Sequence, residues 1–176
     1  ESRGETRRGI ENIEVACGIP TLMQGYYSED VASGIDEWVI PNPLGVFGVI
    51  GPFNFPWMIP LWSAPYAVAT GNCVVVKPSS EVPLSQMKLA ELVEEAGFPP
   101  GVWNVVNGGR TVVSAMLQHP DIAGVTFVGS TPTGKIVYKG CGDTQKRCIA
   151  QCGAKNNMVV MPDADLERTA AAAMTS

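Results

Sequence analysis

The chain has 176 residues, 45% of them hydrophobic and 16% charged, which suits a single globular domain or part of a larger one. Its net charge of −5, with no run of Lys and Arg, argues against a nucleic-acid partner and fits a weakly acidic protein that handles a small metabolite. No apolar run reaches the roughly 18 residues of a membrane span, and Glu1 to Arg8 is too charged for a secretory leader, so the sequence reads as soluble and cytoplasmic.

From the N-terminus, Ile10, Ile13, Ala16 and Cys17 recur at helical spacing, and Gly18 with Pro20 supplies the stop. Residues Tyr26 to Ser33 are polar and read as a loop. Asp36 to Ile40 reads as a strand that Pro41 and Pro43 confine to an edge. Leu44 to Ile50 is a continuous apolar run without polar alternation, the pattern of a strand covered on both faces of a parallel sheet. Gly51-Pro-Phe-Asn-Phe-Pro56 interrupts it, and a helix is expected over Trp57 to Thr70. The alternation then repeats. Strands are expected at Cys73–Val76, Val102–Val106, Val125–Val128 and Asn157–Met161, with helices over Ser85–Ala96, over Thr111–Gln118 and from Thr133 to Lys139. An alanine-rich helix begins at the Asp163-Ala-Asp165 segment. Both ends look cut, and a fragment of a longer chain is the expectation.

Strand, glycine- or proline-rich turn, helix, strand is the rhythm of a doubly wound α/β fold, a Rossmann-like parallel sheet with helices on both faces. Ligands of such sheets bind beyond the carboxyl ends of the strands. Asn54, Lys77, Gly108 and Ser130 all follow a strand, which makes them candidates for one site.

Each of the four also has a plainer reading. Lys77, stiffened by Pro78, is placed to donate to ribose hydroxyls or a phosphate, or is a solvated lysine at a strand end. Gly129-Ser130-Thr131 opens a helix, where backbone N–H groups and a hydroxyl make an anion site, and where a serine also serves as a simple N-cap. Asn107-Gly108-Gly109 lacks dinucleotide spacing and by itself reads as a permissive turn. Asn54, between Phe53, Phe55 and two prolines, reads as a rigid amide in an apolar clamp that donates to a developing oxyanion, with a turn asparagine as the alternative. The five cysteines (Cys17, Cys73, Cys141, Cys148 and Cys152) and the single His119 lack paired-ligand spacing. No metal site is expected, and the cysteines read as reduced thiols.

Taken together, Pro52-Phe-Asn-Phe-Pro56, Lys77-Pro-Ser79, Phe127-Val-Gly-Ser130 and Gly153-Ala-Lys-Asn156 resemble, in order and spacing, the aldehyde dehydrogenase superfamily. Arg8-Gly-Ile-Glu-Asn-Ile-Glu14, Ala16-Cys-Gly-Ile-Pro20 and Met161-Pro-Asp-Ala-Asp-Leu166 are similar to its methylmalonate-semialdehyde branch. That resemblance implies an oxidoreductase in which a cysteine thiolate attacks a small semialdehyde and hydride passes to NAD. Coenzyme A, as co-substrate, then resolves the thioester. It also implies a homo-oligomer for the full-length enzyme and, in a eukaryote, a mitochondrial location.

By match of motif, Asn54 would be the oxyanion-hole amide, and Gly51 and Phe53 would approach the cofactor. Lys77, Ser80 and Glu81 would surround the adenosine ribose, with Gly108 nearby. Gly129 and Ser130 would bind the pyrophosphate, Cys152 would lie near the nicotinamide, and Arg8 would hold the substrate carboxylate.

Three departures from the family pattern matter. Ser80 stands where an acidic residue usually accepts from the ribose, leaving Glu81 as a substitute or opening room for the 2′-phosphate of NADP. Gln151 stands where hydrolytic members carry a glutamate base, and an amide takes no proton from water at neutral pH. No cysteine lies in the context of the nucleophile, so the chain as it stands is expected to be inactive. The expected division is an N-terminal helix and loop (1–34), a strand segment bridging to an oligomerisation region (35–45) and an NAD-binding domain (46–176). The competing readings are a hydrolytic aldehyde dehydrogenase that has lost its glutamate and a non-catalytic nucleotide-binding module.

Overall fold

The computed structural model describes residues 2–175. Helix α1 (Ser2–Ala16) is followed by the single turn α2 (Ile19–Leu22), and strands β1 (Tyr26–Ala32) and β2 (Ile35–Val39) form a two-stranded antiparallel hairpin. The remaining strands are β3 (Val46–Ile50), β4 (Cys73–Lys77), β5 (Trp103–Val105), β6 (Ile122–Val128) and β7 (Arg147–Gln151). They make one parallel sheet of order β5-β4-β3-β6-β7. From β3 the chain steps outward through α3 (Ala64–Ala69) and α4 (Leu84–Glu95) to β5. It then returns through α5 (Arg110–Gln118) to β6 and through α6 (Thr131–Asp143) to β7. The direction of winding therefore reverses between β3 and β6, the place where open α/β sheets bind ligands.

Alternate residues of the strands face different layers, and each layer is apolar. Val49, Val74 and Val76 pack with Ala64 on one side of the sheet. Ile50, Val125 and Phe127 pack with Met116, Leu117, Val137 and Cys141 on the other. This explains the unbroken apolar runs: a strand covered on both faces has no polar side. Burying each such valine contributes about 1.5–3 kcal/mol. At the start of β3, buried Asn72 holds the chain in place, its Oδ1 accepting from the backbone N–H groups of Leu44 (2.7 Å) and Gly45 (3.0 Å).

Four expectations need correction. Tyr26 to Ala32 is a strand, because it pairs with β2 from Tyr26↔Val39 to Ala32↔Ile35; the turn between them falls at the 34/35 division. The stretch from Trp57 to Thr70 is broken into turns, a 3-10 turn at Pro60–Trp62 and the short α3, since Pro60 and Pro65 each restart the chain. The fifth sheet strand is β7, while residues 157–161 form no strand: Met158, Val159, Val160 and Met161 are exposed, and no strand among the described residues pairs with them. Finally, α1 does not bury the Ile10–Ile13 stripe. It buries Gly9 and Ala16, and a Cβ at Gly9 would meet the Leu61 side chain at 2.7 Å.

Candidate functional site

The carboxyl edge of the sheet gathers the strand-end residues into two hydrogen-bonded groups. In the first, the ammonium of Lys77 donates to the carbonyls of Pro78 and Gly108, the latter at 3.1 Å, and the Ser80 hydroxyl donates to the same Gly108 carbonyl at 3.2 Å. Gly108 has a φ of +150°, a conformation that favours glycine and turns its carbonyl towards both donors. Lys77 is only 6% exposed, and its pKa lies below the ordinary lysine range because burial penalises the charged form. Among the described residues no carboxylate pairs with it. A buried ammonium bonded only to carbonyls still has a donor and an uncompensated charge. Glu81, the next acidic residue along, is exposed.

The second group surrounds the start of α6. Ser130 is its N-cap, but its side chain does not bond the helix backbone; the hydroxyl donates instead to the Thr133 hydroxyl at 3.0 Å. The helix is held close to the sheet at Gly134, where an added Cβ would run into the Cys152 sulfur and come within 3.2 Å of the Phe127 ring. Cys152 thus sits beneath the first turn, while Gly153 N–H donates to the Thr131 hydroxyl at 3.3 Å. Both groups are tied to the ladder, as Gly51 N–H donates to the Lys77 carbonyl (3.0 Å) and Gly129 N–H to the Gln151 carbonyl (3.1 Å). A side chain at Gly51 would press on the Pro60 ring at 3.0 Å.

Between the two groups runs the loop that carries Phe53 and Asn54. The apolar clamp expected there is absent: Asn54 is exposed, Phe53 is 62% exposed and Phe55 39% exposed. Short hydrophobic neighbours in sequence enclose an amide only when another layer closes over them. The loop is held from below instead. Gln86, fully buried on α4, donates to the Pro56 carbonyl at 2.6 Å, and a Glu5 carboxylate oxygen on α1 accepts from the N–H groups of Trp57 (2.8 Å) and Met58 (3.1 Å). Sequence reasoning missed both supports. For Gln86 the signal is a polar residue at helical spacing from Leu89 and Val93, within the apolar stripe; Glu5 gives none. Arg8 lies away from both groups, pairs with Glu11 at 3.0 Å, and shares with Phe55, Met58 and Trp62 a groove of about 670 Å³.

The sequence profile described as the aldehyde dehydrogenase family matches residues 1–176. The chain belongs to the aldehyde dehydrogenase family. This aldehyde dehydrogenase chain is 51% identical over 166 residues to a Geobacillus kaustophilus protein named malonate-semialdehyde dehydrogenase 2, a match covering 94% of the chain and 34% of the relative. Among solved structures it resembles a protein from Sinorhizobium meliloti 1021, provisionally described as a methylmalonate-semialdehyde dehydrogenase and complexed with NAD. That match has a TM-score of 0.93 and 47% identity, over 96% of this chain and 34% of the other. The methylmalonate-semialdehyde dehydrogenase of Oceanimonas doudoroffii gives a TM-score of 0.91 at 49% identity, over 94% and 34% of the two chains. The chain therefore spans about a third of the length of these relatives.

Proposed function

We propose that residues 46–176 are the NAD-binding part of a coenzyme A-acylating malonate- or methylmalonate-semialdehyde dehydrogenase. The observation that carries this reading is Lys77: a buried cation at the carboxyl edge, next to the reversal of winding, with no carboxylate partner among the described residues. The Lys77 ammonium and the Ser80 and Glu81 side chains suit the hydroxyls of an adenosine ribose. Gly129, Ser130 and the N–H groups of the first turn of α6 suit a pyrophosphate, and Gly51, Phe53, Gly108 and Cys152 line the approach. When bound, the dinucleotide supplies a hydride acceptor. Asn54, on a loop fixed by Gln86 and Glu5, donates to the substrate oxygen as negative charge develops there. Arg8 holds the substrate carboxylate from the groove it shares with Phe55.

Gln151 lines a small cleft with Trp62, Ser63 and Thr126. As an amide it accepts no proton from water, which favours release of the acyl group to coenzyme A over hydrolysis. We further propose that the 176-residue chain alone turns over no aldehyde, since none of its cysteines lies in a nucleophile's sequence context. The whole enzyme would be a cytoplasmic homo-oligomer.

Calorimetric titration of the chain with NAD and with NADP tests the cofactor reading. NAD is expected to bind, and Lys77→Met to weaken it about ten- to a hundredfold, the worth of one charge-assisted hydrogen bond. Equal binding by the variant, or none by either, would sink the assignment. For the reaction, the whole enzyme given malonate semialdehyde or its methyl derivative, NAD and coenzyme A should yield an acyl-coenzyme A. A free acid in its place would point to the hydrolytic class.

A further inference from the structure

Away from the carboxyl edge, two thiols meet across the seam between α6 and β7. Cys141 is fully buried in the last turns of α6, packed with Val125, Phe127 and Val137. Cys148 is the second residue of β7. The alternation along that strand turns Cys148 and Ala150 to the α6 side and leaves Arg147, Ile149 and Gln151 exposed. The connection is short: Lys146 N–H donates to the Cys141 carbonyl at 2.8 Å, and the Thr144 hydroxyl donates to the Gly140 carbonyl at 2.7 Å. The strand therefore starts back beneath the end of the helix, and Cys148 packs against the buried cluster that contains Cys141. Burial, with Cys148 as a secondary cause, pushes the Cys141 thiol up to about 12, so Cys141 stays protonated at neutral pH. Cys148, half-buried, is the sulfur a small solute reaches first.

We propose that Cys141 and Cys148 form a redox modification site, which a hydroperoxide oxidises to an intramolecular disulfide pinning α6 to β7. With hydrogen peroxide, the Cys148 thiolate attacks one oxygen, the O–O bond breaks, and the released hydroxide takes up the proton that Cys148 gave up on ionising, so that a sulfenic acid and one water result. The Cys141 sulfur then displaces the sulfenic oxygen, which leaves with the Cys141 proton as the second water. Two thiols lose two electrons in all, and one peroxide is reduced to two waters. The pair is selective because the tight turn closed by Lys146 on the Cys141 carbonyl brings the resolving cysteine alongside the attacked one, whereas Cys17 is exposed on α1, Cys73 lies on β4 and Cys152 sits beneath the first turn of α6.

The test is to expose the folded chain to hydrogen peroxide, alkylate the remaining thiols, and map the peptides by mass spectrometry without reduction. The free thiols are expected to fall from five to three, two being consumed, with Cys141 and Cys148 in one linked peptide that dithiothreitol separates. In Cys141→Ala, Cys148 should proceed to sulfinic acid; in Cys148→Ser, Cys141 should stay reduced. The unmodified sequence alone decides the matter, so a poorly folding variant does not blunt the test. Cys148 recovered untouched, as a sulfinic acid beside reduced Cys141, or linked to any other cysteine would overturn the proposal.

Discussion

The parallel sheet and the β1–β2 hairpin are made by the same backbone hydrogen bonds, yet they sit in opposite surroundings. In the sheet, Val74 and Val76 have no exposed surface and Val125 keeps 1%; in the hairpin, Trp38 is 66% exposed and Tyr26 65%. The sheet lies between two layers of helices, whereas the hairpin rests on itself, through the Tyr27–Trp38 ring pair at 5.3 Å and the Tyr27 hydroxyl donating to Asp36 at 2.8 Å. An isolated two-stranded ribbon is marginal in water. The difference teaches that ladder bonds specify which strands pair, while burial of a face decides whether the pair is stable.

That contrast can be broken by substitution. Leu61→Ala removes a side chain only 1% exposed, in the turn packed between α1 and α3. It should cost about 2–5 kcal/mol in denaturant unfolding, and a smaller loss would mean that the helix layer adds less than its burial implies. Asn72→Ala leaves the N–H groups of Leu44 and Gly45 without their acceptor, an expected loss of about 1–3 kcal/mol read by the same method. Trp38→Ala should cost the fold only about 0.2–1 kcal/mol; a larger effect would make the hairpin part of the core.

The smallest effect is one of pH. The Asp30 N–H, and after it the Tyr27 hydroxyl, hold the Asp36 carboxyl below the usual carboxylate range. A depressed folded-state pKa gives stability that is present above the unfolded value and lost as pH falls through the folded one. Acidification below the carboxylate range should therefore loosen the Tyr27 and Trp38 ring signals in NMR before the valine methyls of the sheet move. Asp36→Asn should abolish that step. Lys77 also has a lowered pKa, but there it reflects a cost and not a gain: burial disfavours its charge, so the cost is present at neutral pH and relieved as pH rises towards the ordinary lysine value. Lys77→Met should flatten the resulting alkaline rise in stability.

What was legible in the sequence follows the same division. Strands β3, β4 and β6 were readable because both of their faces are buried, and such strands are apolar throughout. The strand β1 was not, since nearly every residue of it is exposed and its sequence is that of a polar loop. For β7 only Cys148 and Ala150 face the core, while residues 157–161 are apolar and have no strand beside them. The placement of Lys77, Gly108 and Ser130 at the carboxyl edge was legible because Lys77 ends a strand and the other two follow one. The supports of the Asn54 loop could not, because Gln86 acts 30 residues away in sequence and Glu5 52 residues away. The exposure of Phe53 and Phe55 was equally hidden, because local composition says which rings are near an amide and not whether anything covers them.

The bonds from Gly51 to Lys77 and from Gly129 to Gln151 carry the sheet one rung past β3 and β6. Amide protons in such turns normally exchange with solvent quickly. These two should exchange as slowly as those inside the strands, because releasing either requires the ladder itself to open. The rim proposed to meet a ligand thereby inherits the stiffness of the interior, and docking there would order little backbone that is not already fixed.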